Sequence, residues 1–307
     1  MSFSSDVKKE LSRVSCEDMY DCAAEFAALL IFGGEVIKKD GGVPDVIFHN
    51  ENPLILEHFI SLTSQMGAIA KKIESYSYGI PKEDQRMRLL KYSGFMDDLG
   101  RIAEEEDFFG NSLLQKNTCQ RAFLRGAFLA SGSITDPEKN YHFEITCNSE
   151  TLAVLLREQM EFFGLEAKIV LRKKYFVVYM KEGAMISDIL AVMGGSISKL
   201  NFESVRVLKD VRNVVNRRVN CETANINKTV SASRKQIEDI EYVISMVGMQ
   251  GLPVALREIA CARLEEPSAT LKELGEALDP PVGKSGVNHR LRKLSQMAQD
   301  LRDKKGR

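Results

Sequence analysis

The chain opens with the polar stretch MSFSSDVKKELS, which reads as helical and predicts a first helix over residues 4–14, with Ser4 or Ser5 as its cap. Two later stretches are apolar on nearly every face: 26–34 reads FAALLIFGG and 124–132 reads LRGAFLASG. Such a pattern predicts helices buried all round, here over 18–33 and 119–131, rather than amphipathic surface helices. Strand patterns follow the first of these near 35–39 and 44–49, with Asp40, Gly41 and Gly42 as a hairpin turn. Pro53 opens a helix running to about Gln65, as proline suits the first helical turn. Strands are then predicted near 68–78 and 86–92, with a short helix around 94–103, and the acidic run Glu104, Glu105, Glu106 and Asp107 closes the segment. After the second buried helix the order repeats: strands 132–136 and 141–147, helix 149–163, strands 166–172 and 175–181 turning at Arg172, Lys173 and Lys174, and helix 183–193.

The two halves share an offset. Gly34 and Gly132 lie 98 positions apart, and the same offset carries Ile47, Phe48, His49 and Asn50 onto Ile145, Thr146, Cys147 and Asn148. A register held through two strands and two helices indicates an internal duplication. Gly126 and Ala130 are four apart in one helix and Ala24 and Ala28 in the other, so small residues share one face of each. Two such helices can approach closely, which predicts a pseudo-two-fold seam with a sheet spreading from each copy.

Beyond residue 198 the pattern becomes wholly helical. Val205, Leu208, Val211, Val215 and Val219 recur at three and four, giving an amphipathic helix over 198–219, and the asparagine-rich 220–228 reads as a linker. Ile237, Ile240, Val243, Ile244 and Val247 form one helix face, broken by Gly251 and Pro253, and 254–264 forms another helix. Thr270 and Glu273 make a capping box for a helix over 271–278. After Asp279, Pro280 and Pro281, Ser285 is positioned to cap a last helix over 286–302 whose core face is Val287, Leu291 and Leu294. The expected organisation is a duplicated domain over 1–198 (repeats 18–103 and 119–193), a basic connector over 199–229 and a helical domain over 230–307.

Charge sharpens this picture. The 307 residues carry a net charge of −1, but the balance is uneven. Residues 199–235 hold 9 Lys and Arg against 3 Asp and Glu, 236–283 hold 3 against 9, and 284–307 hold 8 against 2. Two basic bands around an acidic helical block suit a phosphate backbone, although a solvated surface explains any single band as well. The six cysteines make no C-x-x-C pair and the four histidines do not cluster with them, so no metal and no cofactor is expected and reduced thiols in a cytoplasm are the plain reading. No secretory h-region and no apolar run of membrane-spanning length is visible, so no membrane association is expected.

LRGAFLASG resembles the motif helix of the LAGLIDADG homing endonucleases at Leu124, Gly126, Ala130 and Gly132. The first copy keeps Gly34 and replaces the other signature positions with Phe26 and Ala28. In that family the eighth motif position of each copy is an acid that holds divalent metal. Here Gly33 and Ser131 stand at those positions, and neither supplies a charged hard oxygen. The resemblance therefore implies the scaffold without its nuclease. The alternative is an active metal-dependent endonuclease in which Glu35 and Asp136 take over. Arg86 and Arg88, two apart on an expected strand, would share a face toward DNA phosphate.

The last two helices fit a helix-turn-helix whose second helix enters the major groove. Asn288, His289, Arg290, Arg292 and Lys293 lie off its core face. Asn bonds adenine edges and Arg guanine edges, while Lys284 and Ser285 stand where helix N-termini hold phosphate. Thr270 and Lys272 on the preceding helix, and Arg212, Arg217 and Arg218 on the connector, complete the candidate DNA-contacting set. Residues 252–294 resemble the C-terminal signature of the WhiA family, and MSFSSDVKKELS at the start and RNVVNRRVNCETANINKT over 212–229 are also similar to it. The resemblance implies an α+β fold, duplicated LAGLIDADG-type units followed by an all-α helix-turn-helix domain. It implies a non-enzymatic DNA-binding transcriptional regulator of sporulation, cell division or chromosome segregation, cytoplasmic and nucleoid-associated. Its expected partners are double-stranded DNA and RNA polymerase or a sigma factor. An acidic N-terminal half fits docking of a sigma factor better than direct DNA contact.

Overall fold

The computed structural model describes residues 2–39, 42–103 and 112–305. The chain forms two compact units, Met1–Asp210 and Val211–Arg307. The Asp40–Gly41 turn and the acidic run over 104–107 lie outside the described residues.

In the first unit, α1 (Phe3–Leu11) precedes two copies of one arrangement. The first copy is α2 (Met19–Gly33), β1 (Gly34–Lys39), β2 (Gly42–His49), α3 (Pro53–Gln65), β3 (Lys71–Glu74), β4 (Ser77–Gly79) and α4 (Glu83–Tyr92). The second is α5 (Asn117–Ser131), β5 (Gly132–Ile134), β6 (Phe143–Cys147), α6 (Glu150–Glu161), β7 (Lys168–Arg172), β8 (Tyr175–Met180) and α7 (Gly183–Met193). Both sheets are antiparallel with the same strand order, β1-β2-β4-β3 and β5-β6-β8-β7. Alternation drives each sheet onto its helices: Phe143, Ile145 and Cys147 are buried along β6 while the residues between them are only half-buried.

The helices start where side chains can satisfy the orphan amides of a first turn. Asp18 caps α2, accepting from the Tyr20 and Asp21 amides at 2.9 and 3.0 Å. Asn52 caps α3 ahead of Pro53, and Ser149 caps α6. For α1 the cap is Ser2 rather than Ser4 or Ser5, which lie inside the helix.

The seam is built as the small-residue pattern implies. A methyl group added at Gly126 would stand 2.6 Å from the Glu25 carbonyl oxygen and 2.9 Å from the Ala28 methyl. Only glycine lets the α5 backbone come this close to α2. Contacts also join residues one repeat apart: Lys116 binds Asp18, and Cys119 donates to Asp21 at 3.3 Å, each pair separated by 98 positions. Self-matching contacts of this kind are the mark of a two-fold relation.

Three expectations fail in the first copy. The single strand expected near 68–78 is the antiparallel pair β3 and β4, turning at Tyr76, whose φ is +66°. The stretch containing Arg86 and Arg88 is helix α4, not a strand, and 94–103 holds an isolated bridge between Met96 and Ile102 instead of a helix. Gln85, Arg86, Leu89 and Leu90 are buried with helical spacing. Arg86 is 6% exposed and donates to the carbonyls of Pro44, Ile80 and Pro81 at 2.8–3.0 Å, so it ties α4 to the sheet. Arg88 is exposed beside Asp84. No shared phosphate-facing strand exists for the pair.

Helix α8 (Ser196–Val247) begins in the first unit, where the Glu10 carboxylate of α1 accepts from the Ile197 and Ser198 amides at 2.8 Å. It continues unbroken through 220–228, where a linker was expected. No glycine or proline occurs between Ser196 and Val247, and the asparagines lower helix propensity by only tenths of a kcal/mol each. The face formed by Leu208, Val211, Val215 and Val219 is more than half exposed, so its spacing foretold a helix but not burial.

The second unit continues with α9 (Val254–Glu265), α10 (Leu271–Glu276) and α11 (Lys284–Lys305). Ile240 and Val243 of α8 pack with Leu256, Ile259, Leu274, Val287, Leu291 and Leu294 in one core. The turn between α10 and α11 is pinned by the Val282 amide donating to the Gly275 carbonyl at 2.9 Å. A methyl group on Gly275 would stand 2.0 Å from the Val282 carbonyl oxygen, so this turn requires glycine beneath it.

Candidate nucleic-acid interface

In the first unit the two motif positions that would carry acids are occupied otherwise. Gly33 lies against α5: an added methyl group would stand 3.2 Å from the Ala130 methyl and 3.0 Å from the Phe48 ring. Ser131 donates its hydroxyl to the Thr146 carbonyl at 2.9 Å. Glu35 is exposed on β1, and Asp136 accepts the Glu138 amide at 2.9 Å. Among the described residues no group of three or more His, Cys, Asp or Glu side chains is arranged to hold a metal ion.

Glu25, a carboxylate with no exposed surface in the seam, was passed over by sequence reasoning. Arg125 grips it with two hydrogen bonds, at 3.0 and 2.6 Å, His58 lies 2.8 Å from Oε1, and the Cys16 thiol donates at 3.4 Å. Burial alone would raise the Glu25 pKa. The attraction of Arg125 and the His58 hydrogen bond outweigh it and hold the carboxyl below its ordinary value. Every partner is another buried or half-buried group of the same unit, so the cluster fastens α2, α3 and α5 together.

In the second unit the candidate residues divide into three groups. Thr270 caps α10 in the expected capping box, with Thr270 Oγ1 accepting from the Glu273 amide and the Glu273 carboxylate accepting from the Thr270 amide at 2.7 Å. Thr270, Lys272, Lys284 and Asn288 all line one cleft of about 490 Å³. His289, Arg292 and Lys293 are exposed on α11. Arg290 is half-buried, donating to the Ala255 carbonyl at 3.4 Å and lying 3.6 Å from Glu258, so it ties α11 to α9. Ser285 is not a cap: α11 already begins at Lys284, and Ser285 sits exposed in the first turn.

On α8, Arg212, Arg217 and Arg218 are exposed. Arg217 donates to the Asn213 carbonyl and Arg218 to Glu222, at 3.2 and 3.0 Å, local contacts that leave the helix surface basic. The cleft also takes residues absent from the expected set: Lys228, Thr229 and Gln236 of α8 and Arg263 of α9. Lys228, Ala232 and Gln236 recur every fourth position. That spacing marks a helical face, hidden as long as 220–228 is read as linker.

Two family models match the chain, the WhiA LAGLIDADG-like domain over residues 120–212 and the WhiA C-terminal HTH domain over 215–298. The "Probable cell division protein WhiA" of Lachnospira eligens is 42% identical over 316 aligned positions, covering 100% of this chain and 99% of that protein. The chain belongs to the WhiA family. The WhiA relative from Lachnoclostridium phytofermentans, under the same description, is also 42% identical, over 98% of this chain and all of its own length. The crystal structure of full-length DUF199/WhiA from Thermatoga maritima superposes with a TM-score of 0.59 at 23% identity, covering 98% of this chain and 99% of that one. The shared architecture is the expected α+β class: duplicated LAGLIDADG-type units followed by an all-α helix-turn-helix domain. No helix among the described residues is long and apolar enough to cross a membrane.

Proposed function

We propose that this WhiA-family protein is a non-enzymatic, DNA-binding transcriptional regulator of cell division, with chromosome segregation or sporulation control as the process it serves. One observation carries the reading. Helix α11 buries Val287, Leu291 and Leu294 while presenting His289, Arg292 and Lys293 to solvent, next to a cleft that gathers Lys272, Lys284 and Asn288. An anchored helix with a basic, hydrogen-bonding outer face is what major-groove reading needs. The helix-turn-helix family match and relatives described as probable cell division proteins support it.

In this reading the labour divides along the chain. Residues 1–198 are a scaffold without nuclease activity, since Gly33 and Ser131 bring no carboxylate to the former metal positions. Residues 199–229 add backbone grip through Arg212, Arg217 and Arg218, and 230–307 read the duplex. Asn288, Arg292 and Lys293 take the base edges, and each well-made base contact contributes about 1–3 kcal/mol of discrimination. The acidic first half suits docking of RNA polymerase or a sigma factor, and the working compartment is the cytoplasmic nucleoid.

A genome-wide map of bound DNA, compared between the chain and its Arg292→Ala/Lys293→Ala variant, tests the proposal. Discrete peaks near division or segregation genes that vanish in the variant are expected. Peaks that persist in the variant would remove α11 from its role.

A further inference from the structure

The cleft of the second unit differs in kind from an exposed basic surface. Lys228 and Thr229 of α8, Arg263 of α9, Lys272 of α10, and Lys284 and Asn288 of α11 line it, and no carboxylate is among its described lining residues. Four helices therefore bring four cationic side chains and several neutral hydrogen-bonding groups around one space. Its volume, about 490 Å³, lies within the range of about 300–1,000 Å³ typical of small-ligand sites.

Arg263 is the decisive member. It is 2% exposed, yet a guanidinium keeps its proton in proteins. Its Nη1 donates to the carbonyls of Pro267 and Ala269, at 3.4 and 2.7 Å, while Nε has no hydrogen-bond partner among the described residues. Burial pulls its pKa below the ordinary value, the sign of a charge held without a counter-charge. Among the described residues the cleft's lysines make one ion pair, Lys272 with Glu276, at 3.7 Å on an exposed helix face, and such pairs contribute little. A buried cation facing a pocket of further cations, with hydroxyls and an amide beside it, is completed by an oxyanion.

We propose that this cleft seats a phosphate group and that α8 forms one of its walls. Lys228 and Thr229 reach the phosphate from α8, Lys272 from α10 and Lys284 from the first turn of the long helix α11, while Arg263 supplies the buried charge. The phosphate comes either from the backbone of duplex DNA or from a free phosphate species that occupies the same cleft. The first source rests on the DNA-binding reading above and makes the connector helix part of the reading unit; the second gives the unit an anion-responsive site of its own.

The experiment uses the full chain, Lys228→Ala, Lys272→Ala and the double variant, with thermal melts confirming that each folds. Binding of a duplex oligonucleotide of arbitrary sequence is followed by fluorescence anisotropy across a salt series, and inorganic phosphate is titrated calorimetrically without DNA. If the seat takes the DNA backbone, each substitution reduces the magnitude of the slope of log affinity against log salt by about 0.9, and weakens binding equally on unrelated sequences. If it takes free phosphate, saturable phosphate binding is present in the chain and lost in the double variant. An unchanged salt slope together with no phosphate binding lost in the double variant overturns the proposal. A chain that fails to bind duplex DNA at all refutes the DNA-binding reading instead, and the seat then stands or falls on the phosphate titration.

Discussion

The thiol of Cys119 donates to Asp21 across the seam of the first unit at 3.3 Å, and these residues stand 98 positions apart, the offset of the duplication itself. A residue that touches its own repeat-mate lies near the pseudo-two-fold axis. The same holds for Ala28 and Gly126, equivalent positions whose close approach sets the spacing of α2 and α5. A side chain at residue 126 must push the backbones apart. Gly126→Ala is expected to lower stability by about 1–3 kcal/mol, the range for overpacking a dense core, and Gly126→Leu by more. Thermal melts followed by circular dichroism check this; an unchanged melting temperature for Gly126→Leu would show that the helices do not meet here.

The buried Glu25 cluster predicts an acid-dependent loss of stability. Arg125 and His58 hold the Glu25 carboxyl below its ordinary pKa against the opposing effect of burial. A depressed folded-state pKa means that this stabilisation is complete above the usual carboxylate range and is lost as pH falls through the folded-state value. Glu25→Ala leaves Arg125 buried without its anion and is expected to cost about 3–5 kcal/mol at neutral pH. Glu25→Gln is expected to flatten the acid limb of a stability-against-pH curve. An acid limb as steep as that of the parent chain would assign it to other carboxylates.

How much of this was readable in the residues varies along the chain. The duplication, the sheet of the second copy and the core face of α11 followed from periodicity because each is long or repeated. The α4 segment is ambiguous in sequence, because ten residues with Met87 and Leu89 two apart fit a strand as well as a helix. The repeat offset, which sets this stretch opposite helix α7, pointed to the right answer. The cleft was only half legible: Thr270, Lys272, Lys284 and Asn288 carried motif signals, whereas Lys228 and Arg263 meet them only through tertiary packing. Arg290 shows the same limit, since position off the core face of α11 did not reveal its contact with α9.

Arg290 and Arg292 therefore separate packing from reading. Arg290→Ala removes the contacts to Ala255 and Glu258 and is expected to lower the melting temperature with a smaller loss of DNA affinity. Arg292→Ala is expected to leave the melting temperature unchanged and weaken specific binding by about 1–3 kcal/mol. Paired melts and gel shifts decide it. The opposite pattern would make Arg290 the reader.

Continuity of α8 through 220–228 carries its own prediction. Asn225→Pro interrupts the helix ladder in its middle, at a cost of about 3 kcal/mol or more. It is expected to reduce the circular-dichroism signal at 222 nm and to expose the flanking amides to hydrogen exchange. Exchange in 220–228 that is already as fast as in an unstructured peptide, before substitution, would contradict a helix there.

Replacement of the motif acids predicts an absence of cutting. Supercoiled plasmid incubated with the chain and Mg²⁺ is expected to stay supercoiled. Nicking that requires the metal and disappears in Glu35→Gln would instead give Glu35 a catalytic role, because two-metal cleavage needs carboxylates converging on ions about 4 Å apart.

The most direct measurement is the affinity of the full chain for a duplex drawn from its own genomic sites, set beside that of Arg292→Ala/Lys293→Ala with an unchanged melting temperature. A drop of about tenfold or more, at about 1.4 kcal/mol per factor of ten, is expected if α11 reads the duplex. Equal affinity in the two proteins would place DNA recognition elsewhere and contradict the division between a silent scaffold and a reading helix.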